Sequence, residues 1–179
     1  MIAAHLDDWM ARPAVRSRHR RRAAAPAAAL WTAAAELRLS DTRTLGRLVR
    51  WRIPGTPPAQ TFRGLLAEYP FVVLDEGERW SLSGLCGRIW TLTRDYPRLA
   101  GPEAFRAWDE PGTVRVLFAH WVEDDGAGGS AIVSEARVQP VDRAAEVRLR
   151  SLWLVVGVFE RLIGAESLEL AVARAEGRA

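Results

Sequence analysis

Strand-like segments fill the stretch from Phe71 to Val141, and one long helix-patterned segment follows them to the C-terminus. That order constrains the fold more than any other feature. An antiparallel sheet alternates apolar and polar residues and leaves an apolar face to cover. A helix with an apolar stripe needs such a face. On the last segment Leu149, Leu152, Val155, Val156, Phe159, Leu162 and Ile163 recur at three- and four-residue steps, behind an Asp142 placed to cap the first turn. Gly164 is expected to kink this helix. The expectation is a cup: a curved sheet with a long helix across it and space between them.

The clearest hairpin has Asp124-Asp125-Gly126-Ala127-Gly128-Gly129 between Thr113 to Glu123 and Ser130 to Val141. Closed tightly, it sets Val122 opposite Ile132, His120 opposite Ser134, Phe118 opposite Ala136 and Val116 opposite Val138, with that face turned inward. A second hairpin joins Phe71 to Leu74 and Arg79 to Ile89 through Asp75-Glu76-Gly77. Gly84 and Gly87 inside it predict a bulge or a sharp bend. From Thr91 to Pro111 the pattern loosens into a connection with a helical turn over Pro102 to Trp108, expected as a lid.

Ahead of these elements, Val15, Ser17 and His19 alternate with Arg16, Arg18 and Arg20, which suits a strand with arginines toward water. Three short helices follow: Ala27 to Leu37 behind Pro26, a second around Leu45, Leu48, Val49 and Arg52 capped by Asp41 or Ser40, and a turn or two carrying Phe62, Leu65 and Leu66.

A chain of 179 residues, 49% hydrophobic and 26% charged, is about one domain with a core that needs no staple. The expected division is an N-terminal extension over 1–12 and one domain over 13–176. All 25 basic residues are arginine, set against 22 acidic ones for a net charge of +3. They are scattered among carboxylates except at Arg16 to Arg22, so no nucleic-acid partner is expected and that cluster reads as a solvated face. Cys86 is the sole cysteine, which excludes an intramolecular disulfide and points to a reducing, cytoplasmic setting. Arg20-Arg21-Arg22 before alanines is not read as an export signal, since Pro26 and Glu36 interrupt any apolar stretch. No segment is apolar for long enough to be a transmembrane helix. Oligomeric state is not legible.

Four groups of residues carry a family resemblance: Arg18-His19 before an Ala-Pro helix start, Gly84-x-x-Gly87-Arg88-x-Trp90, Phe105-x-x-Trp108-x-x-Pro111-Gly112, and Ser134-Glu135-x-Arg137-Val138 ahead of the final helix. Over residues 13–176 the chain resembles the START-like, polyketide-cyclase-like (SRPBCC) superfamily, in an uncharacterised bacterial branch. The resemblance implies an α+β helix-grip fold, a curved seven-stranded antiparallel sheet around a long C-terminal helix, with two or three short helices after strand 1. It implies a cavity that takes lipids, hormones, polyketides or other apolar ligands, and some related proteins catalyse cyclisation or dehydration. Branch members often carry threonine where this chain has Ala136. No catalytic residues transfer.

In that topology the first strand lies beside the last, which would bring His19, Ser134 and His120 to one cavity wall. The expected function is binding of a small hydrophobic molecule. Its expected contacts are His19, Trp80, Cys86, Val116, Phe118, His120 and Ser134 on the sheet with Val156 and Phe159 on the helix. Two other readings stand beside it. His19 and His120 would serve a cyclase or dehydratase as acid and base, or the cavity is filled by its own side chains and the chain is an interaction module. Core packing accounts for both histidines equally well, as it does for Trp31, Trp51 and Trp153. No metal or cofactor is expected, because only the histidines and Cys86 offer ligands. A lone buried cysteine is an inert small hydrophobe more often than a nucleophile.

Overall fold

Five strand signals become five strands. The computed structural model describes residues 2–91, 96–126 and 128–178, with the side chains of 2–4 and 154–164 outside that description. In chain order the elements are α1 (Ile2–Met10), β1 (Val15–Ala23), α2 (Ala27–Ala35), α3 (Leu45–Arg52), α4 (Phe62–Ala67), β2 (Val72–Gly77), β3 (Trp80–Gly87), α5 (Pro102–Arg106), β4 (Val114–Asp124), β5 (Ser130–Pro140) and α6 (Arg143–Ala175). The strands form one antiparallel sheet in the order β1-β5-β4-β3-β2. The fold is α+β, as expected, but the seven strands implied by the resemblance are five among the described residues. The connection after Gly87 carries Pro97, Pro102 and Pro111, which lack the N–H a ladder needs, and its one named element is the short helix α5.

The β4–β5 register is the one read from the hairpin: Val122 faces Ile132, His120 faces Ser134, Phe118 faces Ala136 and Val116 faces Val138. β1 lies against β5, with His19 opposite Ser134. β2 runs on to Gly77, so the first hairpin turns at Glu78-Arg79 and not at Asp75-Glu76-Gly77. The irregularity predicted at the glycines of β3 sits instead on β2, between Val73 and Asp75, opposite Ser83 and Leu82. Gly84 has another use, because a Cβ there would stand 2.7 Å from the Phe105 ring. Its bare backbone lets α5 press Phe105 onto the sheet.

Directly paired residues share a face, so the sheet sorts into two. One face carries Leu85, Val116, Val138 and Ile132 and is covered by the two ends of α6, with Leu149 at one and Leu168, Ala171 and Val172 at the other. Asp142 caps α6 as predicted, its carboxylate accepting from the Ala145 N–H at 2.7 Å. α2 joins that layer through Leu30. The opposite face carries Leu74, Leu82, Cys86, Leu117, Ala119, Trp121 and Val133, and is covered by Leu6, Trp9 and Met10 of α1 and by Phe105 of α5.

The 1–12 segment thus supplies a helix that packs on the sheet. The connection expected as a lid instead divides: α5 seals the α1 face, while Ile89, Trp90 and Tyr96 pack at the α6 face beside Leu85 and Val114. The second helix is not capped from Asp41 or Ser40. Asp41 closes a 3-10 turn by accepting from the Arg38 N–H at 2.9 Å, and α3 starts at Leu45, its end met by Glu166 of α6, which accepts from the backbone N–H groups of Arg43 and Leu45 at 2.6 and 2.9 Å.

Candidate functional site

A row of polar side chains crosses the middle of the α6 face. His19, Ser134, His120 and Ser81 stand opposite one another on four adjacent strands, β1, β5, β4 and β3. Such a row is uncommon on an apolar face, because each polar group taken from water needs a partner. His120 and Ser134 satisfy one another: His120 Nε2 and Ser134 Oγ are 3.1 Å apart. His19 Nε2 lies 3.2 Å from Ser17 Oγ, one pair further along β1. The other ring nitrogen of His120 has no hydrogen-bond partner among the described residues.

That ring borders a cleft. Its walls are Trp31, Ala34 and Leu37 from α2 and the turn after it, Phe62, Arg63 and Leu66 from α4, Ile132 from the sheet, and Ser167 and Leu168 from α6; Ser81 and His120 form the floor. Apart from Arg63 at the rim and Ser167, the walls are apolar. The cleft holds about 70 Å³, several times the roughly 10–15 Å³ one water needs and below the roughly 300 Å³ of a drug-sized site. Arg63 is held by Glu76 at 3.2 Å, so it brings no unpaired charge to the mouth.

Enclosure of the imidazole has a chemical consequence. Burial lowers the pKa of His120 to about 4 from an ordinary 6.5 because the charged form loses its hydration. At neutral pH the ring is uncharged, one nitrogen a donor and the other an acceptor. It suits a neutral oxygen or N–H of a ligand. Near pH 7 it carries no acidic imidazolium proton to give as a general acid, and as a base it is weak.

The residues expected to form the site fall into three groups. Val116, Phe118, His120, Ser134 and His19 all lie on the α6 face, with Phe118 edge-on to Phe71 at 5.8 Å. Of these only His120 borders the cleft. Contrary to expectation, Trp80 and Cys86 do not line this side: β3 turns its odd-numbered residues, Ser81, Ser83 and Leu85, toward α6 and its even-numbered ones toward α1. Cys86 is packed with Leu82 and Phe105, its thiol pushed up to about 12 by burial, which makes it an inert core side chain. Trp80 sits on the same face, with His5 edge-on to it at 5.4 Å. Val156 and Phe159 lie outside the described side chains.

Sequence reasoning missed Ser81, Trp31, Leu66 and Ser167. Helical spacing reads Trp31 as core packing, and it does flank Leu30 in the α2 layer, but its ring also walls the cleft. Ser81 had no register signal, because the long 88–113 connection leaves the β3–β4 pairing open until the sheet is formed. Among the described residues no cluster of three or more ligating side chains is suited to a metal.

The Glu135 and Arg137 pair lies on the α1 face, and both side chains are fully buried. Arg137 donates to Glu135 at 2.7 Å and to Asp7 and the Met10 carbonyl at 2.6 Å each, while Arg16 Nε stands 2.9 Å from Glu135. This is a structural network that bolts α1 to the sheet. The rest of the arginine strand is paired as well: Arg20 with Glu123 and Asp125, Arg22 with Asp125 and Arg21 with Glu169.

No family model and no curated protein matches this chain. Among solved structures it is similar to the Zhui aromatase/cyclase from Streptomyces sp. R1128, at 16% identity and a TM-score of 0.33 over 92% of this chain and 94% of that one. It is also similar to TTHA0849 from Thermus thermophilus, at 12% identity and a TM-score of 0.35 over 92% of this chain and 99% of that one. Likeness this distant assigns neither a family nor an activity to the chain.

Proposed function

We propose that this protein binds a small, mostly apolar molecule bearing one neutral hydrogen-bonding group, with its apolar body against Trp31, Leu66 and Leu168 and its polar end on His120 and Ser81. The observation that carries this reading is the uncharged His120 ring, set in an apolar wall with one nitrogen unpartnered among the described residues. The ring borders the cleft, so a ligand seated there can complete the open nitrogen. The cleft is smaller than a drug-sized site, so a ligand of several rings requires α2 and α4 to move outward. Binding is favoured over the cyclase or dehydratase reading by the same burial, which leaves His120 poorly matched to proton transfer at neutral pH.

Native mass spectrometry of protein purified gently from its own host tests this directly. The expected result is a retained mass that dissociates on activation and raises the melting temperature when added back. The His120→Phe variant should lose roughly tenfold or more in affinity for that molecule, the worth of one buried hydrogen bond. Absence of any retained mass, joined to no thermal shift across a panel of lipids and aromatic polyketides, would leave the filled-cavity interaction module as the better reading.

A further inference from the structure

We propose that the exposed face of α3 docks on an anionic lipid bilayer as a peripheral contact. This goes beyond ligand binding and does not depend on the cleft. At 100° per residue, Arg47, Arg50 and Trp51 fall within about 100° of one another on the side opposite the buried Leu45. Trp51 is 65% exposed. Arg43, exposed in the turn leading into the helix, stands instead beside Glu166 of α6.

The charge on this face is less compensated than that of the β1 arginines. Arg16, Arg20, Arg21, Arg22, Arg63, Arg79, Arg137 and Arg174 each have a carboxylate partner. Arg47 and Arg50 have none among the described residues, and Arg50 only folds back onto the Gly46 carbonyl. The helix sequence contains no acidic residue. An unpaired pair of guanidinium groups is free to meet lipid phosphate, for which their planar fork is suited.

A tyrosine groove lies past the C-terminal end of α3 and is reached through Arg52, which at 100° per residue falls about 140° from Arg47 and about 160° from Arg50. Arg52 donates to the Tyr96 hydroxyl and stacks 5.1 Å over its ring. The Tyr69 hydroxyl donates to the Tyr96 carbonyl at 3.0 Å, and Arg98 lies 5.1 Å over Tyr69, itself 44% exposed. Ile53, Pro54 and Pro57 complete the groove, with Glu68, bound by the Gln60 amide, as its acidic member. Trp51 on the helix face and Tyr69 in the groove are two of the three large hydrophobic side chains exposed among the described residues, Val147 being the third. Tryptophan and tyrosine flanked by arginine are the side chains that settle at the headgroup level of a membrane. Nucleic acid would match the charge but not the apolar ring and proline surface. No described helix is long and apolar enough to cross a membrane, so the contact rests on the surface.

The experiment is cosedimentation of the full chain with vesicles of pure phosphatidylcholine and of phosphatidylcholine containing one-third phosphatidylglycerol. Binding to the mixed vesicles only, weakening as salt is raised, is expected. Neutralising each arginine should weaken it roughly fivefold, so R47E/R50E should lose more than about 25-fold and Trp51→Ala severalfold. These side chains are exposed, so the far-UV circular dichroism and melting temperature of the variants should match the parent. No binding by the parent, or equal binding by R47E/R50E, overturns the proposal. Duplex DNA binding lost in the same variant, with vesicles ignored, overturns it too. Ligand retention in native mass spectrometry should be unchanged in R47E/R50E, which separates failure here from failure of the cleft.

Discussion

Burial, and no charged neighbour, sets the protonation of His120. Its folded pKa of about 4 lies below the ordinary 6.5, so as pH falls the unfolded chain takes up the proton first. The resulting loss of stability begins near pH 6.5 and is complete near pH 4, and amounts to roughly 3 kcal/mol. His120→Phe removes that titration while the carboxylates common to both chains still titrate. Urea unfolding at pH 7 and at pH 4.5 should therefore show a smaller acid loss in the variant; an equal loss would mean the imidazole is not held neutral. Arg137 presents the opposite case, a charge kept ionised because Glu135, Asp7 and the Met10 carbonyl complete it. Arg137→Ala strands the buried Glu135 carboxylate, and should cost about 3–5 kcal/mol in equilibrium unfolding. The outward direction of this pair was readable from the β5 alternation. Its complete burial was not, since the cover comes from a helix more than a hundred residues upstream.

At the level of elements, periodicity did most where a run was long. The long α6 helix and its Asp142 cap, the β4–β5 register and the β1 alternation all follow from local pattern, because a strand flips every side chain if its register slips by one. Asp142 has a second attachment that no pattern reveals: its other oxygen accepts from the Gly112 N–H at 2.7 Å, tying the start of α6 to the loop before β4. These backbone donors hold its carboxyl below the usual range. Asp142→Ala should therefore lower the melting temperature at pH 7, with less difference at acid pH where the parent carboxylate is itself protonated; Asn, which keeps one acceptor, should lose less. Short elements were harder. α1 carries Leu6, Trp9 and Met10 at helical spacing, yet three apolar residues near a terminus do not distinguish a docked helix from a loose end.

For the whole molecule, the sheet has two covered faces with separate duties. The α6 face holds the polar row and the cleft, and the α1 face is a dry layer fastened by the Arg137 network. Deleting residues 2–10 should expose Leu82, Leu117, Trp121 and Phe105 and raise binding of an apolar dye, while a ligand held at His120 should be retained. Loss of the ligand together with α1 would show that the two faces are coupled.

The sequence by itself determined the five strands, the central register and the long helix that follows them, since alternation and helical spacing are local properties that water imposes on any chain. Hairpin register also set His120 opposite Ser134, while the place of His19 beside them followed only from the topology that the resemblance implies. The tertiary structure decided which face each side of β3 serves, sending Trp80 and Cys86 under α1 and Ser81 to the cleft. It likewise decided that α5 seals the far face and that α2 and α4 wall the cleft. These outcomes depend on contacts between residues far apart in the chain across a long proline-bearing connection, where no local period constrains how the pieces meet.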